Sequence, residues 1–413
     1  MIYKTPKFML TVWVIALLMF RPSYLGETYG AFVFISFILI SIYVIVYYYS
    51  KNVRFKFVKT DITILKLVIL FSLYIGIQGL VLSSAKSIAL KALFGIPIVS
   101  LFFIYIARGS NLNYIFKVFI TIHLFLSISI IISNLLIFIN SMDISPFVIA
   151  HFVWLKENQV NLIFPFSLSW SKNTLSDQFF LSNVHRFIGF YREPGEAQYF
   201  FLTAYFLLFF IKYPYGKIVK YLIWLGGLFL FSTQFVFSWI FGALLLYIFQ
   251  QEKKRQIKKA ILLITAVLSI YLFTNFDYGL ISKIETGTGA DRIIGFQISL
   301  NKFFLHPIFG EGYYNNYSEN RVGSTYQDIF TSIGLLGPLY QLGLFGILLY
   351  ILCWTYALVK RTNSEALSIY VPFLITMMLS EPSYNNIFAF FLMTIDTRNL
   401  RLIKYEKKNS TNY

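Results

Sequence analysis

Residues 218–249 read IVKYLIWLGGLFLFSTQFVFSWIFGALLLYIF, an apolar run of 32 residues interrupted by the polar triplet Ser232-Thr233-Gln234. Wound as one α-helix, the run would reach about 48 Å at 1.5 Å per residue, whereas a bilayer's hydrocarbon core is about 30 Å thick. It is therefore expected to fold into two spans, 218–232 and 235–249, joined at the triplet. How this stretch is read sets the number of spans in the chain and the side on which everything after it lies.

The same kind of segment recurs in both directions. Apolar cores lie at 8–20, 29–49, 62–83, 87–107, 112–140, 197–211, 259–275, 333–358, 366–380 and 386–397, which with the divided run makes twelve. Of all residues, 57% are hydrophobic and only 13% charged, with a mean hydropathy of +0.67. A soluble domain of this length carries roughly a quarter charged residues. The expected class is an all-α integral membrane protein, one polytopic domain over residues 1–413, with no internal repeat.

Charge tests the count. Alternate connections hold Lys4 and Lys7, then Lys51, Arg54, Lys56 and Lys59, then Arg108, then Lys212, Lys217 and Lys220. The series continues with Lys253, Lys254, Arg255, Lys258 and Lys259, with Lys360 and Arg361, and with Arg398, Arg401, Lys404, Lys407 and Lys408. Together these are most of the 35 basic residues, so the positive-inside rule puts these connections and both termini in the cytoplasm. The 253–259 block falls on that side only if residues 218–249 are split. The net charge of +17 thus follows membrane topology, and nucleic acid is not an implied partner.

Lys66, Lys91 and Lys117 lie within spans near their inner ends and are expected to snorkel. Phe8 to Phe20 after Lys4 and Lys7 resembles a signal peptide, but Arg21-Pro22-Ser23 offers no small-x-small cleavage site, so a retained first helix is expected. The single Cys353, in an apolar run, reads as a small buried hydrophobe.

Two connections on the outer side are long, residues 141–196 and 276–326, whereas structureless connections beyond about 12–15 residues are uncommon unless functional. The first contains the aromatic stretch Phe164 to Trp170, too short to span and expected to lie in the outer interface or to re-enter. It ends in His185-Arg186-Phe187-Ile188-Gly189-Phe190-Tyr191-Arg192-Glu193-Pro194-Gly195-Glu196, just ahead of a span. There Pro194-Gly195 breaks the backbone, and Glu196 can cap the helix that follows. The second holds Arg292, an apolar helix around 293–305, then His306-Pro307-Ile308-Phe309-Gly310-Glu311-Gly312, then Arg321, Tyr326 and Asp328 before Gly334-Leu335-Leu336-Gly337. A Pro-x-x-Gly-x-Gly run makes a tight turn free of side chains, which lets backbone approach a ligand or lets helices pack closely.

This pattern resembles the Wzy-type O-antigen and capsular polysaccharide polymerases, within the O-antigen polymerase and ligase superfamily. The residues that carry the resemblance are Arg186, Gly189, Glu193 and Pro194 in the first loop, with Arg292, Pro307, Gly310, Gly312, Gly334 and Gly337 around the second. The architecture of many spans and two large outer loops covers the whole chain. Ligases of the superfamily usually place a His-Asn pair ahead of the last Gly-x-x-Gly, where this chain has Tyr326-Gln327-Asp328, so polymerase is favoured over ligase. A polysaccharide flippase is the rival of a different class. It would need charged residues lining a path through the spans, and here the charge is concentrated in the loops.

The resemblance implies a multi-pass protein of the bacterial cytoplasmic membrane whose active site faces the periplasm. Its substrates would be undecaprenyl-diphosphate-linked repeat units, with membrane lipids and a chain-length regulator protein as further candidate partners and no cofactor. Arg186 and Arg292 would hold diphosphates, because a guanidinium binds phosphate bidentately and stays charged. Glu193 would take the proton of the attacking sugar hydroxyl. Arg192, Gly189, Pro194, His306, Gly310, Gly312, Arg321 and Asp328 are the candidate substrate-binding residues. His185, Glu196 and Glu381 are weaker candidates, and His123 and His151 read as structural. No His/Cys cluster has metal-ligand spacing and no Gly-rich loop with Lys cradles phosphate, so no metal and no nucleotide donor are implied.

Overall fold

The computed structural model describes residues 6–20, 23, 29–51, 57–82, 86–108, 110–139, 148–154, 158–163, 167–170, 186–191, 194–230, 233–250, 299–312, 336–379 and 386–403. Helices lie over eleven of the twelve expected cores. They are α1 (Lys7–Leu18), α2 (Gly30–Ser50), α3 (Lys59–Leu82), α4 (Lys86–Leu90, a π turn at Lys91–Gly95, then Ile96–Ile106) and α5 (Ser110–Ile139). After the first long loop come α6 (Pro194–Leu207), α7 (Gly216–Leu228) and α8 (Thr233–Gln250), and then α9 (Leu336–Lys360), α10 (Leu367–Leu379) and α11 (Ile387–Thr394). The remaining core, 259–275, lies outside the described residues. Gly30–Ser50, Lys59–Leu82, Asn111–Ile139 and Pro338–Lys360 are each long and apolar enough to cross a membrane.

The 218–249 run divides where its polar triplet stands. The last turn of α7 closes with Phe229 N–H on Leu225 O at 3.0 Å, and α8 begins at Thr233. In one continuous helix Trp224 and Trp239 would be about 22 Å apart. Their ring centroids are 5.7 Å apart, so the two helices fold back on each other. Small residues set the close approaches: a Cβ on Gly226 would stand 2.6 Å from the Ser127 Cβ, where α7 crosses α5.

The eight residues of α11 form the hub. Every residue from Phe388 to Thr394 is buried, and the helix packs against α1, α3, α4 and α9. Its Phe391 ring meets Trp13 (6.2 Å), Phe103 (5.2 Å) and Phe116 (6.4 Å), and its Phe388 ring stacks on Phe119 at 5.2 Å. At eight residues α11 is about 12 Å long, well short of a hydrocarbon core. The expected core at 386–397 is thus a short internal helix clad in aromatic side chains. Its N-terminus is capped by Asn386, whose Oδ1 accepts the Phe388 N–H at 2.9 Å.

The helical membrane class stands for the bundle, and the first long loop adds a sheet that the sequence reading did not anticipate. Strands β1 (Val148–Trp154), β2 (Asn158–Ile163), β3 (Ser167–Trp170) and β4 (Arg186–Phe187) pair antiparallel in that order. Val148-Ile149-Ala150-His151-Phe152-Val153-Trp154 is rich in β-branched and aromatic residues, the composition that fits a pleated surface. The aromatic stretch expected in the interface therefore ends, over Ser167–Trp170, as a paired strand lying against α5.

Candidate functional site

The first motif segment is built from β4 inwards. Ser169 pairs with Phe187 and Trp170 with Arg186, which places the Arg186 backbone at the sheet's end. The chain then turns at Gly189, whose φ of +64° is left-handed. Leu168 N–H donates to Gly189 O at 2.8 Å, and Ile188 N–H donates to Leu168 O at 3.0 Å. The backbone of this segment is thereby satisfied among helices that offer it little water.

Two residues past the glycine, the fully buried Tyr191 plugs the bundle. Its hydroxyl lies 2.6 Å from His123 Nε2 on α5. His123 Nδ1 lies 2.7 Å from the Phe119 carbonyl, which can only accept, so Nδ1 carries the hydrogen. In the neutral ring Nε2 then accepts from the tyrosine O–H. Phe200 stacks on Tyr191 at 4.6 Å, and a bridge pairs Tyr191 with Ser23 just after α1. His123, read from sequence as structural, is the residue on which the first loop's motif is seated. It lies about 24 Å along α5 from Ile139, the end nearer the loop. The motif is thus set down among the helices and does not ride over their ends.

Pro194 opens α6, the helix position that proline suits best. Glu196 is buried in the first turn, where a carboxylate meets the positive end of the helix dipole, in keeping with its expected capping place. One turn on, the Tyr199 hydroxyl accepts from Asn386 Nδ2 at 2.7 Å, which ties the start of α6 to the start of α11.

The second motif segment grips α9. Gly343 breaks that helix with φ 63° and ψ −177°, exposing carbonyls before it and N–H groups after it. The Pro307–Gly312 segment takes up both sets. Glu311 N–H donates to Tyr340 O at 2.8 Å and Gly312 N–H to Gln341 O at 3.1 Å. In return Leu344 N–H donates to Pro307 O at 2.8 Å and Phe345 N–H to Ile308 O at 3.0 Å. From α3, Tyr74 O–H donates to Leu342 O at 2.6 Å, and Gln78 Nε2 donates to Gln341 O at 2.8 Å and also to Phe309 O. Lys302 pairs with Glu311 at 3.1 Å.

Of the two uses open to the Pro-x-x-Gly-x-Gly run, close packing of backbone is the one on display at Gly310 and Gly312. His306 is exposed at the end of the helical turn 299–305, with Phe304, Leu305, Ile308 and Phe309 exposed around it. Arg192, Glu193, Arg292, Arg321 and Asp328 lie outside the described residues, as do His185 and Glu381. Among the described residues no three His, Cys, Asp or Glu side chains gather to hold a metal ion.

The chain matches no protein-family model and no curated protein. Function must therefore be argued from these two seated segments. The sequence reading missed Gly343, Gln78 and Tyr74, which complete the second. The available signals were a polar Gln78 within an apolar span, four residues after Tyr74 and so on the same helix face, and a glycine within another span.

Proposed function

We propose that the protein is a polysaccharide polymerase working at the outer face of a bacterial cytoplasmic membrane, a multi-pass protein with cytoplasmic termini. It transfers the growing glycan from one undecaprenyl diphosphate to the non-reducing end of a fresh lipid-linked repeat unit. The acceptor hydroxyl bonds to the donor's anomeric carbon, the bond from that carbon to the diphosphate oxygen breaks, and the hydroxyl proton passes to Glu193. Arg186 and Arg292 hold the diphosphates and stabilise the charge that gathers on the leaving group.

The observation that carries this reading is the seating of the Arg-x-x-Gly segment by Tyr191 and His123, set back along α5. A substrate whose reactive diphosphate is joined to a lipid tail must meet its catalytic groups at the membrane, and a motif sunk among helices meets it there. The test is the glycan ladder of a native host lacking the gene. Single repeat units on the normal acceptor, with longer bands restored by wild type but not by Arg186→Ala, support polymerisation. Long polymer stranded on the lipid carrier would indicate a ligase, and repeat units trapped inside would indicate a flippase.

A further inference from the structure

The segment that closes on α9 is apolar on its outside and satisfied along its backbone. Every residue from Phe304 to Phe309 is exposed. Four of the six are large and apolar: Phe304 is 67% exposed, Leu305 72%, Ile308 58% and Phe309 60%. Water-facing surfaces seldom gather large apolar side chains so densely without a partner. The carbonyls beneath them are all taken up inside the protein. His306 O accepts Gly310 N–H at 2.9 Å, Pro307 O accepts Leu344 N–H at 2.8 Å, and Ile308 O accepts Phe345 N–H at 3.0 Å. Phe309 O accepts from Gln78 Nε2. A turn in water can leave its carbonyls to the solvent, whereas in hydrocarbon each must find a partner within the protein.

The depth of the segment can be measured along α3. Asp61, in the first turn of that helix, pairs with Arg108, which follows α4, and with Arg361, which follows α9. Counted from this charged cluster, Tyr74 lies about 20 Å along α3 and Gln78 about 26 Å. Both are within the roughly 30 Å of a hydrocarbon core. Phe309 is bonded at the Gln78 level, and Gly312 packs against Leu82, the last residue of α3. The chain therefore rises by about one helical turn between Phe309 and Gly312. On the other side, the break at Gly343 that receives Pro307 and Ile308 falls inside Pro338–Lys360, a stretch long and apolar enough to cross a membrane.

The apolar outside of the segment continues the exposed faces of both helices. On α3, Leu73, Ile77 and Val81 are exposed at intervals of four residues, and on α9 so are Leu344, Phe345 and Leu348. The Phe309 ring lies 6.3 Å from that of Phe345. We propose that residues 304–309 are a re-entrant edge embedded in the bilayer, whose partner is the acyl chains of the surrounding lipid. The polar members of the segment fit this place. Lys302 and Glu311 form an ion pair at 3.1 Å, as charges at the membrane boundary commonly do. His306 presents an apolar ring body with a polar tip that can reach toward the headgroups. The embedding stands whether or not the protein is a polymerase.

The test is collision accessibility of a nitroxide label on full-length protein in vesicles of phosphatidylglycerol and phosphatidylcholine. Cys353 is the single cysteine, so Cys353→Ala supplies the background for Ile308→Cys. Leu348→Cys, on the exposed face of α9, is the reference for lipid, and Arg401→Cys, exposed beyond α11, is the reference for water. Oxygen concentrates in hydrocarbon and a nickel chelate stays in water. The Ile308 label is expected to match the Leu348 label, with oxygen collisions exceeding those of the chelate. A label that the chelate reaches as it does at Arg401 overturns the proposal. So does a label that neither quencher reaches, because protein would then cover the segment. Phe304→Cys repeats the measurement at a second exposed position should Ile308→Cys fail to fold.

Discussion

Gly310 and Gly343 are so close that a Cβ on Gly343 would stand 2.4 Å from the Gly310 nitrogen. Both have positive φ, and a Cβ on Gly310 would meet Gln341 O at 2.3 Å. The contact is backbone on backbone, so no rotamer change can relieve it. Gly343→Ala and Gly310→Ala should each destabilise the protein by at least about 1–3 kcal/mol through conformation alone, with the clash in addition. Thermal unfolding in detergent reads this. An alanine variant that melts with wild type would mean that the Pro307–Gly312 segment does not close on α9.

The pair His123 and Tyr191 permits a cleaner separation of seating from chemistry. Tyr191→Phe leaves a buried His123 nitrogen without its donor and should cost about 1–3 kcal/mol. Replacing both, as in His123→Phe with Tyr191→Phe, removes the orphaned group together with its partner and should recover part of that loss. A double-mutant cycle on unfolding would show a coupling of about 0.5–3 kcal/mol. Additive effects would mean that the hydrogen bond does not hold the segment.

These two seats mark where sequence reading reaches its limit. Hydropathy locates the helices because each buries a long apolar stretch, and the Ser232-Thr233-Gln234 triplet locates the turn between α7 and α8. The break at Gly343 is invisible to it, since one glycine barely lowers the hydropathy of a long apolar helix. What makes the break tolerable is a chain segment some thirty residues upstream, and no local pattern encodes that pairing. The sheet in the first loop escaped notice because β2, β3 and β4 mix polar with apolar residues, which left β1 as a lone apolar run with no partner to be read from sequence. Asp61, Arg108 and Arg361 lie on connections that the charge rule puts on one side, and they meet in space. Read as sequence, those connections were sorting signals alone. Folded, they are a buried ionic joint.

That joint yields a stability prediction. Asp61→Asn would leave Arg361 and Arg108 without their shared counter-charge, and breaking a buried pair in this way costs about 3–5 kcal/mol. Asp396→Asn, whose partner Arg398 is half-exposed, should cost no more than about 1 kcal/mol. Unfolding temperatures of the two variants, measured side by side, should differ widely. If they are similar, the Asp61 cluster is not closing these helix ends.

The catalytic proposal is tested by keeping charge while changing shape. Arg186→Lys retains the positive charge but loses the planar two-pronged donor set that grips a diphosphate. If Arg186 binds the leaving diphosphate, the lysine variant should polymerise poorly, with turnover reduced by about 10²–10³-fold, the range seen when one donor to a developing anion is removed. Glu193→Gln should lower turnover by about 10²–10⁴-fold with binding of lipid-linked substrate retained, because the amide keeps the shape and loses the basicity. Both variants should melt with wild type, unlike the seating variants at Gly343 and Tyr191. Purified protein supplied with lipid-linked repeat units, with chain length followed over time, gives turnover and substrate dependence separately. Full activity in Arg186→Lys would reduce that residue to a membrane-surface charge. Full activity in Glu193→Gln would move the search for the base to the exposed His306, which lies beside the other motif.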